Sequence, residues 1–259
     1  LAGKTYGIPL SGTMAHSYVS SFHKEIDAFR TYAQDNPTNT VLLIDTYDVK
    51  TGAKTATIVG KEMESRGQKL KAVRIDSGDL VSLSKIVRDI LDGAGLQYVQ
   101  IIASGGLDEY QISDLVDKEC PIDVFGIGTR LGISEDMPSL DMVYKLVNYD
   151  NRNIKKSSEG KEYLSGKKQV FRVLDKDSNM SQDIIGSHNE SIPPNSVPLL
   201  EEMVSEGNIV ATLPDLETIR RYFTQEFSTL DSKYKLLEKA SKYPVNISSE
   251  LELLQNPRI

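Results

Sequence analysis

One cysteine, no tryptophan and no long apolar run mark what the 259-residue sequence does without. A lone Cys120 excludes an internal disulfide and a cysteine-rich zinc site, and it suits a reducing, cytoplasmic compartment. It lies in Glu-Cys-Pro-Ile-Asp ahead of an apolar stretch, a setting for packing rather than for a nucleophile. No segment reaches membrane-spanning length and no charged-then-apolar signal is visible, so no membrane partner is expected. Positive charge is scarce as well: 30 Lys and Arg stand against 37 Asp and Glu, a net −7 that argues against nucleic acid as the partner. A locally basic pocket for a small anion is compatible with that balance. Neither a Gly-x-Gly-x-x-Gly fingerprint nor a Walker P-loop occurs, so dinucleotide-binding and P-loop folds lack support. No residue set reads as a metal centre.

What is present is rhythm. Apolar strands at 41–44, 71–75, 99–103 and 122–125 each run into a polar or glycine-rich turn and then an amphipathic helix. Their spacing leaves room for a crossover helix each time, as parallel pairing requires. A fifth unit is expected in front, with a strand Tyr6–Leu10 and one helix carrying Val19, Phe22, Ile26, Phe29 and Ala33 on one face. That strand has no partner before it, and the chain begins at Leu1, so it reads as part of a larger polypeptide. The whole of 1–146 is expected to be α/β, parallel βα units with the functional turns at one end. Residues 147–259 change texture and are expected to be a smaller mixed α+β region. It holds a polar loop Lys155–Lys161, an antiparallel strand Gln169–Leu174, a turn Asp175–Ser178, a hairpin from 198–203 and 207–212, and a largely helical stretch 214–239.

Chemistry is expected at the turns. Arg74-Ile75-Asp76-Ser77-Gly78-Asp79 ends a buried strand and opens a helix, with Ser77 or Asp79 as N-cap and Gly78 allowing the bend. Arg74 has the planar fork that grips a carboxylate or phosphate, and Asp76 suits ribose hydroxyls or a developing positive charge. His16 follows Gly12-Thr13 at a helix start, where free N–H groups welcome phosphate and disfavour an imidazolium. Asp45, at the end of the next strand, is expected to accept a hydrogen bond from that imidazole, whereas Asp48 is expected to cap a helix. Ser104-Gly105-Gly106 and Gly126-Ile127-Gly128-Thr129 are two glycine-rich turns on successive strands. Ser104, Gly105, Gly106, Gly128 and Thr129 together suit a phosphate cradle.

Taken in order, these stretches resemble the nicotinate phosphoribosyltransferase family. Leu1-Ala2-Gly3-Lys4, Gly12-Thr13-Met14-Ala15-His16-Ser17, Ile44-Asp45-Thr46-Tyr47-Asp48, the Arg74 turn, both glycine turns and Tyr243-Pro244-Val245 through Leu251 all carry the likeness. The resemblance implies part of a TIM-like barrel, as in type II phosphoribosyltransferases. It implies nicotinate and phosphoribosyl pyrophosphate as substrates, and NAD salvage as the setting. It also implies Mg2+, ATP as co-substrate, a phosphohistidine at His16, and a homodimer or a companion chain. Family members carry an N-terminal region ahead of the stretch matching Leu1, including residues that sandwich the pyridine ring. Two other readings stay open: the nicotinamide-using sister, which has proline where Ile75 stands, and a non-catalytic fragment that needs a partner.

Overall fold

The computed structural model describes residues 1–156 and 163–255, so residues 157–161 of the expected polar loop lie outside it. The chain divides into two compact units, Leu1–Leu140 and Asp141–Ile259.

The first unit is built on a parallel sheet whose strands lie in chain order: β1 (Val41–Leu43), β2 (Ala72–Ile75), β3 (Gln100–Ala103) and β4 (Val124–Phe125). The strands expected at 41–44, 71–75, 99–103 and 122–125 all form, each shortened at one end. The crossovers are α4 (Val49–Ser65), α5 (Leu80–Gly93) and α6 (Glu109–Asp117), preceded by α1 (Ala2–Tyr6), α2 (His16–Ser20) and α3 (Glu25–Asp35). A short α7 (Thr129–Ile133) follows β4. The helices start where the sequence supplies a cap. Asp48 accepts from Thr51 N, Asp79 from Val81 N, and Asp108 from Gln111 N in a full capping box. The strands read as unbroken apolar runs because helices cover them; Leu42, Leu43, Val73, Ile75 and Ile101 are fully buried. Met63, Val87, Leu91 and Leu96 close over them, each large side chain contributing roughly 1.5–3 kcal/mol. β1 and β4 each pair with one neighbour, so among the described residues the sheet is open.

Two expectations for the front of the unit fail. Tyr6–Leu10 is not a strand. Residues 2–6 coil into α1, which stops at Gly7 in the left-handed region (φ 68), and Pro9 has no N–H for a ladder. The expected single helix is two helices. Ser20 and Ser21 turn their hydroxyls onto the carbonyls of Ser17 and Tyr18, and the chain restarts at Glu25, an acid in a first turn.

The second unit has a four-stranded sheet in the order β12 (Val245–Ile247), β8 (Met180–Ser187), β7 (Lys168–Leu174), β9 (Ser196–Pro198). β7 runs antiparallel to β8 and β9, and β12 lies parallel to β8. Two small hairpins accompany it: β5 (Asn148–Tyr149) with β6 (Arg152–Asn153), and β10 (Val204–Ser205) with β11 (Asn208–Ile209). The hairpin expected at 198–212 contracts to this second pair, turning through Glu206 and Gly207, both at positive φ. The helical stretch is α8 (Leu216–Thr229), capped by Asp215, then a single 3-10 turn. Helix α9 (Ser249–Gln255) closes the unit and buries Leu251.

Candidate active site

The ladders of the first unit run one residue past the strands: Ile44 N bonds Arg74 O, Ser104 N bonds Ile75 O, and Gly126 N bonds Ala103 O. The polar turns after β1 to β4 therefore stand side by side at one edge, where parallel sheets hold their ligands. Onto this edge falls His16, the first residue of α2.

Asp45 organises the turn after β2. Its side chain is 0% exposed, and its Oδ2 accepts from Asp76 N at 3.0 Å and Ser77 Oγ at 2.6 Å. That arrangement corrects the expected Asp45–imidazole hydrogen bond. Asp45 Oδ1 stops 4.0 Å from His16 Nε2, and among the described residues buried Oδ1 has no hydrogen-bond partner. The other oxygen is already committed to the neighbouring turn, so the carboxylate cannot also rotate onto the ring. Asp76 comes nearer, with Oδ2 3.6 Å from Nε2, while its Oδ1 accepts from Ser104 Oγ. The ring's hydrogen bond is made on its other nitrogen, Nδ1 to Thr46 Oγ1 at 3.1 Å. Thr46 went unnoticed in the sequence, although it sits in the same turn as Asp45; a hydroxyl adjacent to a candidate acid was the available signal.

Arg74 lies on β2 between Leu43 and Ile102 in register. Its Nη2 donates to Met14 O at 3.1 Å, tying β2 to the stretch before His16, and its buried Nε has no partner among the described residues. Gly78 (φ 83), Gly105 (φ 99) and Gly106 (φ 68) are all left-handed. Gly105 is the most constrained, since a Cβ there would stand 2.0 Å from Asp76 O; the β3 turn lies directly on the backbone of the β2 turn. Gly128 differs. Its φ is −117, outside the left-handed region, and a Cβ would meet nothing within 4 Å. Thr129, the first residue of α7, is exposed.

His23 and His188 are exposed, and Cys120 packs half-buried beside Leu107 and Leu115. Among the described residues no group of three or more His, Cys, Asp or Glu could hold a metal, and no helix is long and apolar enough to cross a membrane. The edge thus gathers an imidazole, two carboxylates, a guanidinium with a spare donor, and glycine turns that expose backbone N–H groups. Such a set can hold a phosphorylated sugar and a second anion together.

Comparison with known proteins points the same way. The model of the "Nicotinate phosphoribosyltransferase (NAPRTase) family" matches residues 1–176, and that of the "Nicotinate phosphoribosyltransferase C-terminal domain" matches 194–255. The nicotinate phosphoribosyltransferase pncB2 of Mycobacterium tuberculosis is 42% identical over 97% of this chain and 54% of its own length. That of Bacillus subtilis is 34% identical over 96% and 56%. The chain spans about half the length of the curated relatives it matches. In fold it is similar to the human nicotinic acid phosphoribosyltransferase, with a TM-score of 0.84 at 24% identity, covering 100% of this chain and 63% of that one. A nicotinate-nucleotide pyrophosphorylase from Pyrococcus furiosus follows, with a TM-score of 0.69 at 26% identity, covering 88% and 57%. With the family model covering most of its length and the turns in the family's order, the chain belongs to the nicotinate phosphoribosyltransferase family.

Proposed function

We propose that the chain carries the phosphoribosyl and histidine parts of a site that joins nicotinate to phosphoribosyl pyrophosphate, giving nicotinate mononucleotide and pyrophosphate for NAD salvage. The observation that carries this reading is the convergence of His16, Asp76 and Ser104 on one sheet edge in a chain of this family. We read the four parallel strands as an arc of a βα-barrel of the type II phosphoribosyltransferase kind, with the site at its C-terminal rim. In this reading the N–H groups of Gly105 and Gly106, on the turn that Ser104 ties to Asp76, take the sugar phosphate. Asp76 faces the ribose as positive charge develops at its anomeric carbon, and Arg74 takes the nicotinate carboxylate. A homodimer, or a companion segment that completes the base pocket, belongs to the same proposal; light scattering of the purified chain tests it.

ATP coupling adds a role for His16. The imidazole Nε2 attacks the terminal phosphorus of ATP, the phosphorus–oxygen bond to ADP breaks, and the energy is held as phosphohistidine. The exposed ring, with Nδ1 held by Thr46 and Nε2 free of hydrogen bonds, supports this. Mg2+ binds through one or two carboxylates together with substrate phosphates, and the unpartnered Asp45 Oδ1 and the Asp76 carboxylate, both facing His16, fit that pattern. When bound, the ion screens polyphosphate charge. The test is incubation with γ-labelled ATP. Label that is lost in acid, kept in base and absent from His16→Ala is expected, with slower labelling in Asp45→Asn. Acid-stable label, or label persisting in His16→Ala, overturns the phosphohistidine.

A further inference from the structure

The turns after β3 and β4 differ in how firmly they are held. The first is locked: Gly105 lies on the β2 turn, Ser104 bonds Asp76, and Asp108 caps α6 through Gln111 N at 2.9 Å. The second follows a strand of two residues, and Gly128 and Thr129 are exposed. Past the ladder bond from Gly126 N to Ala103 O, a side-chain pair joins this turn to the locked one: Arg130, on α7, donates Nη1 to Asp108 Oδ2. The guanidinium is gripped from a second side by Glu135, whose Oε2 lies 3.1 Å from Nε. Asp108 is 14% exposed at its side chain, and its carboxyl is held below the usual carboxylate range, first by the Gln111 N–H and then by Arg130. The Arg130 fork therefore has one of its two partners in the residue that already fixes α6.

We propose that Arg130 is a positioning residue for phosphate binding. By bracing α7 against Asp108 it holds Gly128 and Thr129 beside Ser104, Gly105 and Gly106, so that both glycine turns present their N–H groups to one phosphate. Arg130 acts through Asp108 rather than by touching the ligand. This rests on the phosphate site proposed above.

The distinction is measurable on the whole chain with ribose 5-phosphate as probe, by calorimetry, beside melting temperatures. Asp108→Asn keeps a good helix cap while removing the charge that holds Arg130. Asp108→Asn and Arg130→Gln are each expected to weaken binding about tenfold, with the double variant no weaker than either single one, and with Arg130→Lys recovering part of the loss. Melting temperatures are expected to stay near that of the wild type. If Arg130→Gln weakens binding while Asp108→Asn leaves it unchanged or strengthens it, Arg130 contacts the phosphate directly and the positioning role is wrong. If both variants bind as the wild type does, the brace has no part in binding. If the wild-type chain fails to bind ribose 5-phosphate at all, the phosphate site itself falls, and this role with it.

Discussion

Arg74 in the first unit and Arg172 in the second are the same residue type on a central strand, yet their surroundings differ. Arg172 has its guanidinium engaged on every side: Nε and Nη2 each donate to an oxygen of Asp183 at 3.1 Å, and Nη1 donates to Glu226 at 3.2 Å. Asp183 also accepts the Tyr243 hydroxyl. Arg74 makes one bond to a carbonyl and leaves a buried Nε unpaired, and Asp45 nearby leaves a buried Oδ1 unpaired. An unpaired buried polar group costs about 1–3 kcal/mol. Among the described residues the second unit closes its polar network on itself, whereas the first holds hydrogen-bonding capacity open. A ligand site in this molecule is better sought where polarity is unfinished than where charge is dense.

The sharpest way to break that contrast is to remove both arginines in turn. Arg172→Met strands Asp183 and Glu226 and is expected to cost about 3 kcal/mol in urea unfolding. Arg74→Met also removes the unpaired donor and is expected to cost less than about 1 kcal/mol, while abolishing nicotinate binding in a chain that has the whole base pocket. Equal losses of stability would erase the distinction.

A smaller effect separates the units by their left-handed glycines. Gly105→Ala sets a methyl against the Asp76 carbonyl and is expected to cost about 2 kcal/mol. Gly166→Ala, at φ 83 in the second unit, meets the flexible Leu254 side chain and is expected to cost about 1 kcal/mol. Gly128→Ala is expected to stay within about 0.5 kcal/mol. Melting curves of the three rank them, and a Gly128 loss as large as that of Gly105 would show a constraint that the open space around it does not.

The mildest test uses alkaline pH. Burial, then Asp183, pushes the Tyr243 phenol up to about 12; burial, then Glu64, does the same for Tyr98. A raised phenol favours the folded state fully below its unfolded value of about 10, and that contribution is lost as pH rises through about 12. Of the 12 tyrosines, two are therefore expected to ionise last in an absorbance titration, and Tyr243→Phe and Tyr98→Phe should each remove one. Tyr98 precedes β3, at the opposite edge of the sheet from the candidate site. So the first unit, like the second, also engages a phenol with a carboxylate, Tyr98 with Glu64, at that end. If only Tyr243 titrates late, that symmetry fails.

Much of this was legible in the sequence because it is local. The four strands, the Asp48 and Asp79 caps and the left-handed Gly78 follow from neighbours a few residues away. What failed needed information from farther off. Tyr6–Leu10 reads as a strand by composition, but a strand exists only with a partner, and Pro9 cannot supply one side of a ladder. The imidazole's neighbours were misassigned for a related reason. Asp45 lies in the right turn, but its carboxylate direction is set by Asp76 and Ser77 in the turn after another strand, and that choice leaves Thr46 and Asp76 beside the ring. Likewise Gly105 and Gly128 look alike in sequence, and the left-handed φ of Gly105 and the backbone passing over it tell them apart.

The parallel pairing of β12 with β8 bears on the order in which the molecule can be made. Sheet strands of the first unit meet in the order they are synthesised, so each new strand finds its neighbour as soon as its crossover helix is out of the ribosome. In the second unit β8 waits. Residues 245–247 must emerge before Ile184 and Ile185 gain their second partner, and Ser248 must follow before its hydroxyl reaches Glu190. During that interval one edge of β8 is bare, the condition under which growing chains stick to one another. A translation pause shortly before residue 245 would lengthen this exposure, and one placed after β4 would not.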